Sequence, residues 1–310
     1  MRIVYFGTPE LAVPTLAAAA GRHEVAALVC QPDKPKGRSK KVVPAPTKVW
    51  AEEHGIAVVQ PTKLNDGTFE VWLKEQAPDV CVVAAYGRML KQPILDVPEH
   101  GFLNMHPSLL PRHRGPAPIQ TAILEGDVVT GVTVMRLDAR MDTGDIVLQV
   151  ELPIHPEDTT ETLSRRLAVL GASVLTRALE LVETGEAVFT PQDHDKATTT
   201  RLLAKEDGRI RWAAPARAIH NLIRAAVPWP MAQCGWKGQV CRIHKSAVIE
   251  EDTNAEPGTV VHVESDRVLV ATGDGLLAMR VFQAPGGRAM PMADYLRGHP
   301  ITPGDKFEDL

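Results

Sequence analysis

The sequence predicts an α/β protein with a doubly wound, mainly parallel sheet, followed by a small β-barrel or sandwich. Up to about residue 150, short apolar runs alternate with longer segments of helical composition, which is typical of βα units in a parallel sheet. Beyond residue 208, short alternating runs are broken by Gly and Asp, as in small all-β domains. At 310 residues the chain exceeds the usual size of one core, so two domains are expected.

The individual elements follow from hydrophobic periodicity. The predicted strands of the first half are residues 3–6, 25–29, 57–59, 80–84, 102–104, 132–137 and 146–150. The predicted helices are 11–20, 47–54, 69–76 and one long amphipathic helix over 160–183. The second half predicts a helix over 214–225 and strands over 240–249, 259–263, 268–271 and 276–282. Residues 190–208 are polar and suit a connection, so the expected domains are 1–189 and 209–310.

Composition excludes several classes of protein. The apolar fraction of 44% with 23% charged residues is ordinary for a soluble globular chain. No apolar segment approaches the roughly 18 residues of a membrane span, so a cytoplasmic protein without membrane contact is expected. The four cysteines form no CxxC pair, so neither a disulfide framework nor a zinc site is expected. A monomer is the default expectation.

A carboxamide and an imidazole stand two residues apart at the end of the apolar run that includes Phe102. Asn104 and His106 point to the same side of an extended chain. In a parallel sheet, ligands bind at the carboxyl ends of the strands, which is where these residues fall. A hydrogen-bond donor beside a group that carries a proton near neutral pH suits a reaction that builds negative charge on a carbonyl oxygen. Acyl or formyl transfer is the natural candidate.

The first turn does not fit a dinucleotide site. Gly7-Thr8-Pro9-Glu10 lacks the further glycines of GxGxxG, and Pro9 removes an amide donor. A second polar cluster runs from Asp138 to Asp145 and includes Asp142-Thr143-Gly144. The Thr-Gly pair predicts a tight turn that either presents Asp142 to His106 for proton transfer or uses its aspartates as turn caps. For Asp138 and Asp145, capping is the favoured interpretation.

Asn104 to Pro111, followed by Asp142-Thr143-Gly144-Asp145, resembles the signature of the folate-dependent formyltransferase family. Further motifs resemble the branch of this family that formylates methionyl-tRNA, and they occur in order along essentially the whole chain. These motifs are Phe6-Gly7-Thr8-Pro9, Gln31-Pro32-Asp33-Lys34-Pro35, Gly37-Arg38, Ala85-Tyr86-Gly87, Arg114 to Gln120 and Pro228-Trp229-Pro230-Met231. The resemblance implies a Rossmann-like formyltransferase fold, residues 1–189, joined by 190–208 to an OB-like tRNA-binding domain, residues 209–310.

The resemblance also implies the reaction and its residues. That branch transfers the formyl group of 10-formyltetrahydrofolate to the α-amine of methionine on initiator methionyl-tRNA, in translation initiation. Asn104 and a protonated His106 would stabilise the oxyanion, and Asp142 would relay the amine proton, with no covalent intermediate and no metal. The residues matched to the folate site are Tyr86, Gly87, Ser108, Leu109, Leu110 and Pro111. The alternative for Leu109 and Leu110 is that they anchor their loop in the core.

A basic segment lies within residues 31–46, and it has two interpretations. Five of the eight residues from 34 to 41 are basic: Lys34, Lys36, Arg38, Lys40 and Lys41. Such a run is either a solvated surface or, as the resemblance implies, an insertion that contacts the acceptor end of tRNA. The part from Lys205 onward carries 13 basic and 13 acidic residues, so the second domain shows no strong electrostatic attraction for RNA.

Two rival functions come from different classes. One is a related formyltransferase that acts on a small amine, which would need neither the basic segment nor the C-terminal domain. The other is a non-catalytic RNA-binding relative, which would have no need of intact Asn104, His106 and Asp142.

Overall fold

The computed structural model describes residues 1–36, 41–64 and 66–310. The chain divides into two compact units. The first unit comprises residues 1–118, 129–153 and 164–201, and the second comprises 119–128, 154–163 and 202–310. No helix in the described ranges combines the length and the apolar composition needed to cross a membrane.

The first unit contains a seven-stranded sheet with the strand order β5-β2-β1-β6-β7-β8-β9. Its strands are β1 (Arg2–Gly7), β2 (Glu24–Val29), β5 (Ala57–Val59), β6 (Val80–Ala84), β7 (Phe102–His106), β8 (Val129–Arg136) and β9 (Ile146–Pro153). A separate ribbon pairs β3 (Lys34–Lys36) with β4 (Lys41–Val43). The helices that begin before residue 190 are α1 (Val13–Ala20), α2 (Pro46–Glu53), α3 (Thr68–Glu75), α4 (Gln92–Leu95), α5 (Pro118–Leu124) and α6 (Thr160–Glu183).

The predicted doubly wound sheet is confirmed, with an antiparallel edge. Strands β5, β2, β1, β6 and β7 are parallel, whereas β7 to β9 pair antiparallel. The long helix over 160–183 has the predicted bounds. Four helices, α1, α2, α4 and α5, have proline in the first turn, where a missing amide costs no helical hydrogen bond.

Aromatic packing holds the sheet of the first unit beneath the ends of β6 and β7. Phe6 is fully buried, and its ring lies 5.3 Å from Phe102 and 5.4 Å from Tyr86 between centroids. Phe69 on α3 covers the same cluster at 6.0 Å from Phe6. Each buried ring removes a large apolar area from water. The cluster therefore stabilises the packing around β6 and β7.

Residues 202–310 of the second unit form an antiparallel β domain with two α-helices, as predicted for a small OB-like domain. The strand order is β12-β13-β14-β11-β10-β16, and β15 pairs with β14. The strands are β10 (Ala232–Trp236), β11 (Gln239–Ile249), β12 (Val260–Val263), β13 (Val268–Ala271), β14 (Leu276–Gln283), β15 (Met290–Pro291) and β16 (Phe307–Glu308). The helices are α7 (Ala216–Ala225) and α8 (Met292–Leu296).

A buried histidine in α7 makes the stability of the second unit depend on pH. His220 is 5% exposed, and its Nδ1 lies 3.0 Å from Ser246 Oγ. Burial, helped by the nearby Arg224, lowers the pKa of His220 to about 4. A histidine in an unfolded chain has a pKa of about 6.5. As the pH falls, the unfolded state therefore takes up a proton at His220 before the folded state does. Stability is therefore complete above that pKa and is lost as the pH decreases toward 4.

We predict that His220→Gln reduces the loss of stability between about pH 7.5 and about pH 5, because the variant has no buried imidazole to protonate on unfolding. Urea unfolding midpoints at the two pH values measure the effect. The exposed His262 provides the control, since His262→Gln should keep the pH dependence of the wild type. Equal loss in wild type and His220→Gln would contradict the assignment.

Candidate active site

The last residues of β7 carry the carboxamide and the imidazole. Asn104 and His106 are 8% and 5% exposed, and they lie on the same face of the strand. Met105 faces the other way, toward α6, where a Cβ on Gly171 would lie 3.1 Å from the Met105 sulfur. In the described residues, no protein group takes the hydrogen bonds of the Asn104 carboxamide. Its amide is therefore available to a ligand at the end of the sheet.

The two ring nitrogens of His106 face different partners. Nε2 lies 3.0 Å from the carbonyl oxygen of His113, and Nδ1 lies 3.7 Å from Asp142 Oδ2. A carbonyl oxygen only accepts hydrogen bonds, so this geometry assigns a proton to Nε2. Nδ1 is therefore the ring nitrogen that faces the carboxylate.

A left-handed turn presents Asp142 to His106. Asp142 has φ +54°, a left-handed conformation that is uncommon outside glycine and that aspartate adopts more readily than most residues. The Gly115 amide donates to Asp142 Oδ2 at 2.7 Å, and the carboxylate is 14% exposed. Asp138 instead accepts hydrogen bonds from the Arg140 amide and the Thr143 hydroxyl within the turn. Asp138 thus caps the turn, while Asp142 points to the imidazole.

The loop after His106 is held by two polar side chains of β8 and β9. The Thr133 hydroxyl donates to the Ser108 carbonyl at 2.6 Å and accepts from the Leu110 amide at 3.2 Å. Gln149 Nε2 donates to the Leu110 carbonyl at 3.0 Å and to Thr133 at 2.7 Å. Ser108 and Leu110 are buried, whereas Leu109 and Pro111 are partly exposed. The loop is therefore shaped by the sheet before any ligand binds.

The turn after β6 lies beside this loop, because β6 and β7 are neighbouring parallel strands. Tyr86 is 1% exposed, and burial raises the pKa of its phenol, so the side chain is neutral and part of the core. Gly87 is exposed at φ +75°, and a Cβ there would lie 2.6 Å from Gln31 Nε2. A ligand can therefore reach the backbone of this turn more readily than the Tyr86 ring.

The basic segment begins as the ribbon of β3 and β4. Lys34 Nζ donates to Gln31 Oε1 at 2.6 Å, and Lys36 pairs with Lys41 in the ribbon register. At the base of the ribbon, a hydrogen bond from Lys48 holds the pKa of the Asp33 carboxyl below its usual value. Arg38 and Lys40, which the sequence assigns to tRNA contact, lie outside the described residues.

Two parts of the chain match known protein families. Residues 1–179 match the Formyl transferase family, and residues 202–300 match the family described as Formyl transferase, C-terminal domain. A methionyl-tRNA formyltransferase of Acetivibrio thermocellus is 43% identical over 307 residues, which cover 98% of this chain and 99% of that protein. The chain belongs to the formyl transferase family. The resemblance seen in the sequence is thereby confirmed.

Further relatives agree with this membership. The methionyl-tRNA formyltransferase of Stenotrophomonas maltophilia strain K279a is 44% identical over 297 residues, covering 96% of this chain and 97% of that protein. The crystal structure of HypX from Aquifex aeolicus in complex with tetrahydrofolic acid has a TM-score of 0.65 at 19% identity. It matches 96% of this chain, which spans about half of HypX, 47% of its length. At this identity the likeness to HypX shows the fold alone.

In this member of the formyl transferase family, three side chains that hold the active-site loops were not predicted from the sequence. Thr133 and Gln149 lie in strands, and Gln192 lies in the segment interpreted as a connection. Gln192 is 6% exposed and donates to the carbonyls of Asp142 and Gly144. The local pattern of an isolated polar residue does not distinguish these positions from solvent-facing ones, because their partners are distant in sequence.

We predict that Gly144→Ala disrupts the turn that carries Asp142. A Cβ at this position would overlap the Arg136 carbonyl oxygen, so the backbone must move. We expect a loss of formyl transfer of about 10²-fold, since small displacements of reacting groups have such effects. Gly21→Ala is the control, because its Cβ would lie in ordinary contact, 3.4 Å from the Ala17 carbonyl. Formyl transfer rates and melting temperatures of both variants test this, and equal activity in the two would contradict it.

Proposed function

We propose that the protein transfers the formyl group of 10-formyltetrahydrofolate to the α-amine of methionine on initiator methionyl-tRNA. The observation that carries the proposal is 43% identity, across 98% of the chain, to a methionyl-tRNA formyltransferase. The carboxamide, imidazole and carboxylate at the end of β7 support it, because direct formyl transfer needs oxyanion donors and a proton acceptor. A cytoplasmic location and a monomeric enzyme belong to the same proposal.

In the proposed mechanism, the neutral amine of methionine attacks the formyl carbon. The carbonyl π electrons move to oxygen, which gives a tetrahedral intermediate with a negative oxygen and a positive nitrogen. Asn104, whose amide has no partner among the described residues, donates to this oxygen. His106 stabilises it through the positive charge of its protonated ring, since its Nε2–H donates to the His113 carbonyl and its Nδ1 faces Asp142. Removing one such donor typically lowers the rate by about 10²- to 10³-fold.

Asp142 has two tasks in this scheme. Its carboxylate, 3.7 Å from His106 Nδ1, stabilises the imidazolium next to the developing oxyanion. It also accepts the proton that the attacking amine releases and passes it, through water, to the departing folate nitrogen. The oxyanion then re-forms the carbonyl while the C–N bond to folate breaks, and the electrons of that C–N bond leave with the protonated nitrogen. The proposal requires neither a covalent enzyme intermediate nor a metal.

We assign folate binding to the two loops that follow β6 and β7. Gly87 and the partly exposed Leu109 and Pro111 offer backbone and apolar surface, whereas Tyr86, Ser108 and Leu110 support them from the core. Thr133 and Gln149 already occupy the Ser108 carbonyl and both Leu110 backbone groups. A pteridine ring would therefore be recognised by the remaining backbone groups of these loops and by apolar contact.

We assign tRNA binding to the basic segment and to residues 209–310. The segment carries Lys34, Lys36, Arg38, Lys40 and Lys41, which would bind phosphates of the acceptor end. Catalysis is assigned to residues 1–189, with 190–208 as the connection. Residues 1–189 would thus carry out the chemistry, while the basic segment and residues 209–310 would recognise the tRNA acceptor.

The direct test combines the purified protein, 10-formyltetrahydrofolate and methionyl-tRNA. We predict formylmethionyl-tRNA, and we predict that His106→Ala and Asn104→Ala each lower kcat by about 10²- to 10³-fold with nearly unchanged tRNA affinity. Without formylation by the wild-type protein the proposal fails, and formylation of a small amine instead would identify a different acceptor.

A second prediction concerns recognition. Arg38→Ala should raise KM for methionyl-tRNA about 3- to 10-fold and weaken its salt dependence, because a phosphate contact is lost. Folate binding should survive. Lys74 on α3 is exposed and distant in sequence from the basic segment, so Lys74→Ala is the control and should leave KM unchanged. The same KM for both variants would contradict the assignment.

A further inference from the structure

Residues 190–200 lie along the active-site loops of the first unit. Thr190 pairs with Ile146, and Thr198 and Thr200 exchange backbone hydrogen bonds with Arg114. The Thr198 hydroxyl accepts from the His113 amide at 2.8 Å. The His113 carbonyl contacts His106 Nε2, so residues 190–200 hold a loop that in turn positions His106.

Gln192 is the buried centre of that contact. Its Nε2 donates to the carbonyls of Asp142 at 3.0 Å and Gly144 at 2.7 Å. Its Oε1 accepts from Arg114 Nε at 3.1 Å and from Arg114 Nη2 at 2.7 Å. Gln192 and Arg114 are 6% and 7% exposed, so these bonds form with little competition from water.

The four bonds fix the orientation of the Gln192 amide. A primary amide has two N–H donors and two acceptor lone pairs, and here all four are used. The reversed amide would place its oxygen against two carbonyls and its N–H groups against the Arg114 guanidinium. Only one side-chain orientation therefore satisfies the site. It holds the carbonyls of Asp142 and Gly144, which flank the Thr143–Gly144 peptide unit.

These hydrogen bonds meet a structural need. Asp142 has φ +54°, a conformation that remains uncommon for aspartate, so hydrogen bonds from the surroundings favour the turn. Gln192 holds the backbone of the turn, and the Gly115 amide holds the Asp142 carboxylate. Arg114, which binds Gln192, directly precedes Gly115 in the chain. The backbone and the side chain of Asp142 are thus positioned through one connected set of hydrogen bonds.

We propose that Gln192 is a positioning residue for formyl transfer: it aims the Asp142 carboxylate at His106 by holding the turn around Asp142. This inference rests on the proposed role of Asp142. It also gives residues 190–200 a function beyond connection, since they contribute to the rate of the chemical step and not to substrate binding.

The test is Gln192→Glu. Glutamate keeps the size of the side chain and the contact with Arg114, but it replaces the N–H donors with an oxygen facing two carbonyls. We expect kcat to fall about 10- to 100-fold because the carboxylate is displaced, while KM for both substrates stays within about two-fold.

A double-mutant cycle separates positioning from general damage. In an Asp142→Asn background, Gln192→Glu should slow single-turnover formyl transfer by less than about two-fold, since its target has been removed. General damage to the protein would produce the same fold loss in both backgrounds. That result, or an unchanged kcat for Gln192→Glu, or a loss confined to KM, overturns the inference.

Gln76, directly after α3, provides the control. It is partly buried, and its Nε2 donates to the Trp72 carbonyl at 3.4 Å. Gln76→Glu makes the same chemical change on an element that does not carry the Asp142 turn, and it should leave kcat within about two-fold of the wild type. An equal loss of kcat in both glutamate variants would also overturn the inference.

Two outcomes distinguish this inference from the proposed function. If the wild-type protein forms no formylmethionyl-tRNA, the proposed function is rejected. If Asp142→Asn is as fast as the wild type, the proposed role of Asp142 is rejected. If Gln192→Glu does not fold, Arg114→Lys decides, because lysine cannot supply the paired Nε and Nη2 donors. It should lower kcat with the same non-additivity toward Asp142→Asn, and additive losses would reject the inference.

Discussion

The approach of the Asp142 carboxylate to His106, 3.7 Å between Oδ2 and Nδ1, is the constraint on which the rest of the site depends. It joins a strand to a turn with a left-handed residue, and hydrogen bonds from other segments hold that turn. The sheet and its aromatic base fix His106, while the 113–115 loop and Gln192 fix Asp142. A site of this kind is preorganised, which is where most electrostatic catalysis originates.

The base of the basic ribbon and the turn after β6 share one side chain. Gln31 Nε2 donates to the Tyr86 carbonyl at 2.7 Å, and Gln31 Oε1 accepts from Lys34. Gln31 also stands opposite Gly87, where a side chain would not fit. The segment assigned to tRNA and the turn assigned to folate are therefore built on a common support. This arrangement keeps the two proposed substrates near the same edge of the sheet.

The elements that show a regular hydrophobic pattern along the chain could be predicted from the sequence. Most of the longer strands, the helix over 160–183 and the common face of Asn104 and His106 follow from spacings of two and about 3.6 residues, whereas β10 and the short strands β3, β4, β15 and β16 were not predicted. Long-range pairing was not predictable in this way. Gln192 meets Asp142 across fifty positions, and nothing in the polar run around it distinguishes a buried amide from a solvated one. The antiparallel pairing of β7 with β8 likewise depends on how strands meet, which local periodicity does not specify.

The central claim is that His106 and Asp142 act as one unit in formyl transfer. A double-mutant cycle of His106→Ala and Asp142→Asn, measured as single-turnover formylation of methionyl-tRNA by 10-formyltetrahydrofolate, tests it most directly. We predict strong non-additivity, with the double variant no more than about two-fold slower than His106→Ala alone. Losses that multiply, so that the double variant is slower by the product of the two single effects, would contradict the claim.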